Sequence, residues 1–95
     1  MWFNHELLKD SNIKDIEKNL INYINEKDIQ IDKYNNVNQN ILTWSCYKGY
    51  DQLSSLLIRK YDKRLSINDK DINEKTSISY AIENNMTFTI ELVIS

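Results

Sequence analysis

The sequence predicts an all-helical fold made of stacked helix–turn–helix units. Three observations carry this. Displaced by 36 positions, the chain matches itself in residue character without a gap from Ile29/Leu65 to Arg59/Ser95. Within each unit, apolar residues recur at i, i+3 and i+4, the spacing that puts them on one face of a helix. Between the helices stand Gly49 and Asn85, residue types that accept the left-handed backbone in which helices end.

The elements follow in order. Ile13, Ile16, Leu20, Tyr23 and Ile24 form one helical stripe, preceded by Asn12 as a stop residue. An earlier helix over roughly Trp2 to Ser11 completes the first unit. In the middle unit, Leu42, Ser45 and Cys46 mark a short helix that Gly49 ends. Leu53, Leu56 and Leu57 mark its partner, with Asp51 near the start, where the helix dipole favours an acid. The last unit repeats this with Ile78, Ala81 and Ile82, then Leu92 and Val93. Ser45, Cys46, Ala81 and Ile82 are therefore expected on the buried side. The polar segments 32–39 and 68–75 read as turns or hairpins projecting from the stack. Approximate unit boundaries are 1–31, 32–67 and 68–95, all within one domain over residues 1–95, with a single elongated core.

Composition narrows the function. The chain has 95 residues, one cysteine, one glycine, no proline and a net charge of −2. One glycine cannot build a phosphate-cradling loop. The lone Cys46 excludes an internal disulfide and, on a helix-core position, reads as a small buried thiol. His5, the one histidine, has no partner at metal-site spacing. No nucleophile, metal or cofactor motif stands out, so the chain reads as no enzyme and as needing no cofactor. No apolar run reaches the roughly 18 residues that span a bilayer. With no signal-peptide pattern at the start, an intracellular setting, cytoplasmic or nuclear, is expected. The charge offers no general attraction to nucleic acid. Trp44 and Tyr80 align with each other; they either pack between neighbouring first helices or line a binding groove.

The stretch Asn40-Ile41-Leu42-Thr43-Trp44-Ser45-Cys46-Tyr47-Lys48-Gly49 resembles the T-P-L-H-x-A pattern of ankyrin repeats. The later stretch Asp71 to Ile82 is closer, keeping the opening acid, Thr76 and Ala81. Leu56-Leu57-Ile58 and Leu92-Val93-Ile94 are similar to the closing leucine run of that family. There are departures. Ile41 and Ser77 replace the proline, and Thr43 and Ser79 replace the histidine. The ring's bond to the neighbouring turn therefore has to come from a hydroxyl or be lost. Asn38 and Glu74 replace the hairpin glycine.

The resemblance implies a protein–protein interaction module that grips another protein on the concave surface of hairpins and first helices. Position by position, it implies contacts at Asn36, Val37, Gln39, Ile72, Asn73 and Lys75 on the hairpins. On the first helices it implies Tyr47, Lys48, Glu83 and Asn84. The alternative is a helical nucleic-acid binder using a basic loop patch of Arg59, Lys60, Lys63 and Arg64. The last unit ends just after Leu92 and Val93 with no polar covering helix, so self-association or further repeats are expected at that end.

Overall fold

The computed structural model describes residues 2–3, 13–61 and 64–94. Among them are five helices and no strand: α1 (Ile13–Glu26), α2 (Ile41–Tyr47), α3 (Asp51–Tyr61), α4 (Ser77–Glu83) and α5 (Thr87–Ile94). The stripe of α1 buries Leu20 and Ile24 completely. Asn12, His5 and most of the expected first helix lie outside the described residues. Trp2 and Phe3, which the sequence placed at its start, are not helical.

Each short helix begins on a side-chain cap. Asn40 is extended (φ −78°, ψ 177°), and its Oδ1 accepts the Thr43 amide at 2.9 Å. Thr76 (φ −99°, ψ 171°) does the same for Ser79 at 3.4 Å. A cap oxygen satisfies a backbone donor that the first turn leaves unpaired.

Each also ends on a Schellman motif. The Gly49 amide reaches Cys46 O at 3.0 Å and the Tyr50 amide reaches Ser45 O at 2.9 Å. Thirty-six residues on, the Asn85 amide reaches Ile82 O at 3.2 Å and the Met86 amide reaches Ala81 O at 2.9 Å. Both stop residues are left-handed, Gly49 at φ 78° and Asn85 at φ 53°.

The polar segments are tight turns without regular strand pairing. The Asn35 amide donates to Gln39 O and the Asp71 amide to Lys75 O, each at 3.0 Å. Asn38 and Glu74 both sit at φ 63°, the positions where the family pattern has glycine. Asn35 Oδ1 accepts the amides of Val37 and Gln39; Asp71 Oδ1 accepts those of Asn73 and Lys75. One backbone bond joins the turns, from the Ile72 amide to Val37 O at 3.1 Å.

The helices form two rows. α3 packs against both α1 and α5, while α2 packs against α4. Carboxylates tie the first row together. Glu17 Oε2 accepts the Leu53 amide near the start of α3, at 3.1 Å. Asp51 accepts the Phe88 and Thr89 amides at the start of α5, at 3.1 and 2.9 Å. Ile41, Leu42, Cys46, Leu53, Leu57 and Ala81 are fully buried between the rows. Ser45 and Ser54 are buried with them and bond each other at 2.6 Å, which removes most of the cost of burying hydroxyls. No buried side-chain nitrogen or oxygen lacks a partner among the described residues.

Two expectations need correction. Ile82 is 61% exposed, although it stands at the place of the fully buried Cys46. Its helix packs against α2 and α5, and Ile82 stands on the side that neither covers. The core is not elongated: the extents are 31 × 26 × 24 Å. A few short helix pairs stack to a depth no greater than their own length. Of the two outcomes open for the family's ring bond, the bond is lost: Thr43 and Ser79 do not reach a neighbouring turn. Their hydroxyls bond the caps of their own helices, Asn40 Oδ1 and Thr76 Oγ1, each at 3.1 Å. Asn40 makes the link instead, donating from Nδ2 to Ser66 O at 2.9 Å.

Candidate functional site

Where the two turns meet α2 and α4, a groove opens, lined by Tyr47, Asn73, Lys75, Tyr80, Glu83 and Asn84. Tyr47, in the last turn of α2, is 53% exposed. It stands edge-on to Tyr80 of α4, with ring centroids 5.4 Å apart and an interplanar angle of 79°, the geometry favoured by aromatic quadrupoles. Lys48 Nζ lies 5.9 Å from the Tyr47 ring centroid, and Lys75 Nζ lies 5.4 Å from that of Tyr80. Lys75 also pairs with Glu83, at 3.0 and 3.1 Å to its two oxygens. Asn84 donates from Nδ2 to Cys46 O at 2.8 Å and so fastens α4 to the end of α2.

Beneath the groove lies a polar anchor. The Tyr80 hydroxyl donates to Asp71 Oδ2, and Gln39 Nε2 donates to the same oxygen at 3.2 Å. Burial pushes the Asp71 carboxyl up, but the bonds from Tyr80, the Lys75 amide, Gln39 and the Asn73 amide outweigh it. The group is held below its ordinary 3.8. Burial, and then the bond to Asp71, raise the Tyr80 phenol above its ordinary value. The hydroxyl end of Tyr80 is thus fixed, and its ring forms one wall of the groove.

The sequence-derived contacts fall into distinct places. Tyr47, Asn73, Lys75, Glu83 and Asn84 share the groove. Asn36 and Ile72 are exposed on the turns, and Val37 beside them is half-buried. Lys48 flanks Tyr47. Gln39 is a correction: it is 3% exposed, because its amide serves Asp71 and Asn35 inside the turns. Its place in the family pattern gave no sign of this. The signal was Gln39 standing with Asn35 and Asp71, which hold matched places in the two turns: Asn35 Nδ2 donates to Gln39 Oε1, and Gln39 Nε2 donates to Asp71 Oδ2. Asp51 was also missed as a tie between helices. It reads locally as an acid favoured by the dipole at the start of α3, and nothing in linear order shows that its carboxylate turns to α5.

Trp44 resolves toward packing. It is half-buried among Trp2, Phe3 and Tyr50, with centroids 5.7, 6.1 and 5.8 Å away. The basic patch is dispersed in its uses. Lys60 Nζ donates to the carbonyls of Ile24 and Lys27, and lies 3.5 Å from Asp28. Arg64 lies over the Tyr61 ring, 5.4 Å from its centroid. Arg59 borders a second groove with Ile21 and Phe88. Lys63 lies outside the described residues. Among the described residues no group of histidine, cysteine and carboxylate side chains is placed to hold a metal ion, and no helix is long and apolar enough to cross a membrane.

No protein-family model matches the chain, and no curated protein or solved structure matches it.

Proposed function

We propose that the chain is a protein-binding module of ankyrin-like helix–turn–helix units, gripping a partner protein in the groove between Tyr47 and Lys75. The observation that carries this is the state of Tyr47. It is a half-exposed aromatic, braced by Tyr80 and fastened through Asn84, and it projects beside a Lys75–Glu83 pair. A rigid tyrosine brings contact area at low entropic cost, and the neighbouring charges supply orientation. The unit-by-unit reading is supported by caps, stops and turn bonds that recur at an offset of 36 residues. No observation favours the nucleic-acid alternative, since Lys60 is already held by backbone carbonyls.

The test is affinity capture followed by a dissociation constant for the captured protein with wild-type chain and Tyr47→Ala. The variant should bind more weakly by about 1–2 kcal/mol, with its melting midpoint unchanged. Equal affinity removes Tyr47 from the contact. Loss of folding with unchanged affinity per folded molecule makes it a packing residue and overturns the reading.

A further inference from the structure

The middle unit is an internal control for the last one. Asn35 and Asp71 hold matched places, and each builds its turn with one oxygen. Asn35 Oδ1 accepts the Val37 and Gln39 amides at 3.1 and 2.8 Å; Asp71 Oδ1 accepts the Asn73 and Lys75 amides at 2.9 and 3.1 Å. The turn therefore needs only a side-chain carbonyl, which asparagine supplies. The other end of the side chain differs. Asn35 Nδ2 donates to Gln39 Oε1, whereas Asp71 Oδ2 accepts both Gln39 Nε2 and the Tyr80 hydroxyl. At the place of Tyr80 the middle unit has Trp44, which has no hydroxyl and packs among Trp2, Phe3 and Tyr50.

Half of the groove's lining thus hangs on one buried carboxylate: Asn73 and Lys75 by their amides, Tyr80 by its phenol. Tyr47 leans edge-on against the Tyr80 ring and depends on the same carboxylate at one remove. We infer that Asp71 is a positioning residue for partner binding: its Oδ2 fixes Tyr80, and through Tyr80 it holds Tyr47 in the pose that meets a partner. This rests on the groove being the binding site. Asparagine at 71 would keep the turn but point an NH2 group at Gln39 Nε2, donor against donor. Reversing the Gln39 amide brings no relief, because its NH2 would then face Asn35 Nδ2. The hold on Tyr80 is lost while the turn bonds survive.

The test uses a peptide selected from a random-peptide phage library on the wild-type chain. Its dissociation constant per folded molecule is measured for wild type, Asp71→Asn, Tyr80→Phe and Tyr47→Ala. The Tyr47 ring signals are followed by NMR with no peptide present. In Asp71→Asn and Tyr80→Phe these signals should move toward those of an unstructured tyrosine, while the backbone amide signals of α2 and α4 hold their places. Tyr80→Phe keeps both the ring and the carboxylate, so it removes the link alone. Both variants should bind the peptide about two- to tenfold more weakly, the cost of ordering a loosened side chain on binding. Tyr47 ring signals that stay put in both variants overturn the inference. So does unchanged affinity in both for a peptide that Tyr47→Ala weakens. A peptide that Tyr47→Ala binds as tightly as wild type overturns the groove reading, and with it the role in binding, even where the ring signals move.

Discussion

At the scale of single residues, a few backbone and carboxylate positions decide local stability. A Cβ on Gly49 would meet Asn84 side-chain atoms at 3.8–3.9 Å, an ordinary contact. Space is therefore not the constraint; the positive φ is. Gly49→Val should lower stability by roughly 1 kcal/mol or more, whereas Gly49→Asn should cost little, because Asn85 holds the equivalent place. Equal melting midpoints for the two variants would contradict this. Asp71 sets an acid limit. Its carboxyl is held below 3.8, so between the two values the unfolded chain binds a proton that the folded chain does not. The stability this group confers is complete above its ordinary value and lost as pH falls through the lowered one. Asp71→Asn should thus weaken the protein near neutral pH yet flatten the loss on acidification toward about pH 3, as read from urea midpoints at each pH.

At the scale of elements, the helices are short and depend on one another. α5 has no N-cap of its own beyond what Asp51 provides, with Thr89 Oγ1 adding a bond to the same carboxylate at 2.8 Å. Asp51→Ala should cost about 0.5–2 kcal/mol, the range for losing a capping side chain. Amide hydrogen exchange should show the loss concentrated in α5 while α1 stays protected. Uniform acceleration along the chain would mean that the carboxylate contributes nothing specific to α5.

Much of this scale was legible in the sequence. The stripe from Ile16 to Ile24, the leucines of α3 and the stops at Gly49 and Asn85 are local signals, and local signals survive folding. Five of the residues expected at a binding surface meet in one groove, where Tyr47 and Glu83, 36 positions apart, stand close together and the last turn brings Asn73 and Lys75 beside them. What stayed hidden was relational. Gln39 is buried because another turn brings Asp71 to it, and Ile82 is exposed because it stands on the side of α4 away from both α2 and α5. A pattern marks which residues are apolar; it does not mark which neighbour arrives.

At the scale of the whole molecule, the two rows share one core, and Cys46 reports on its integrity. Burial pushes its thiol up to about 11, so almost no thiolate exists near neutral pH while the fold is closed. Thiol reagents should therefore label Cys46 only through opening of the core. Labelling should accelerate in step with unfolding as urea is raised. Fast modification of the native protein in the absence of denaturant would show that α2 separates from α3 and α4 without global unfolding.

The carboxylate ties carry one more consequence, and it concerns time. Glu17 precedes Leu53 by 36 residues, and Asp51 precedes Thr89 by 38. On a ribosome each acceptor leaves the tunnel well before the amide it will hold. For α3 and α5 the acceptor is therefore already synthesised when the helix that needs it is made. Both ties thus run in the order of synthesis, each acceptor N-terminal to the amide it holds.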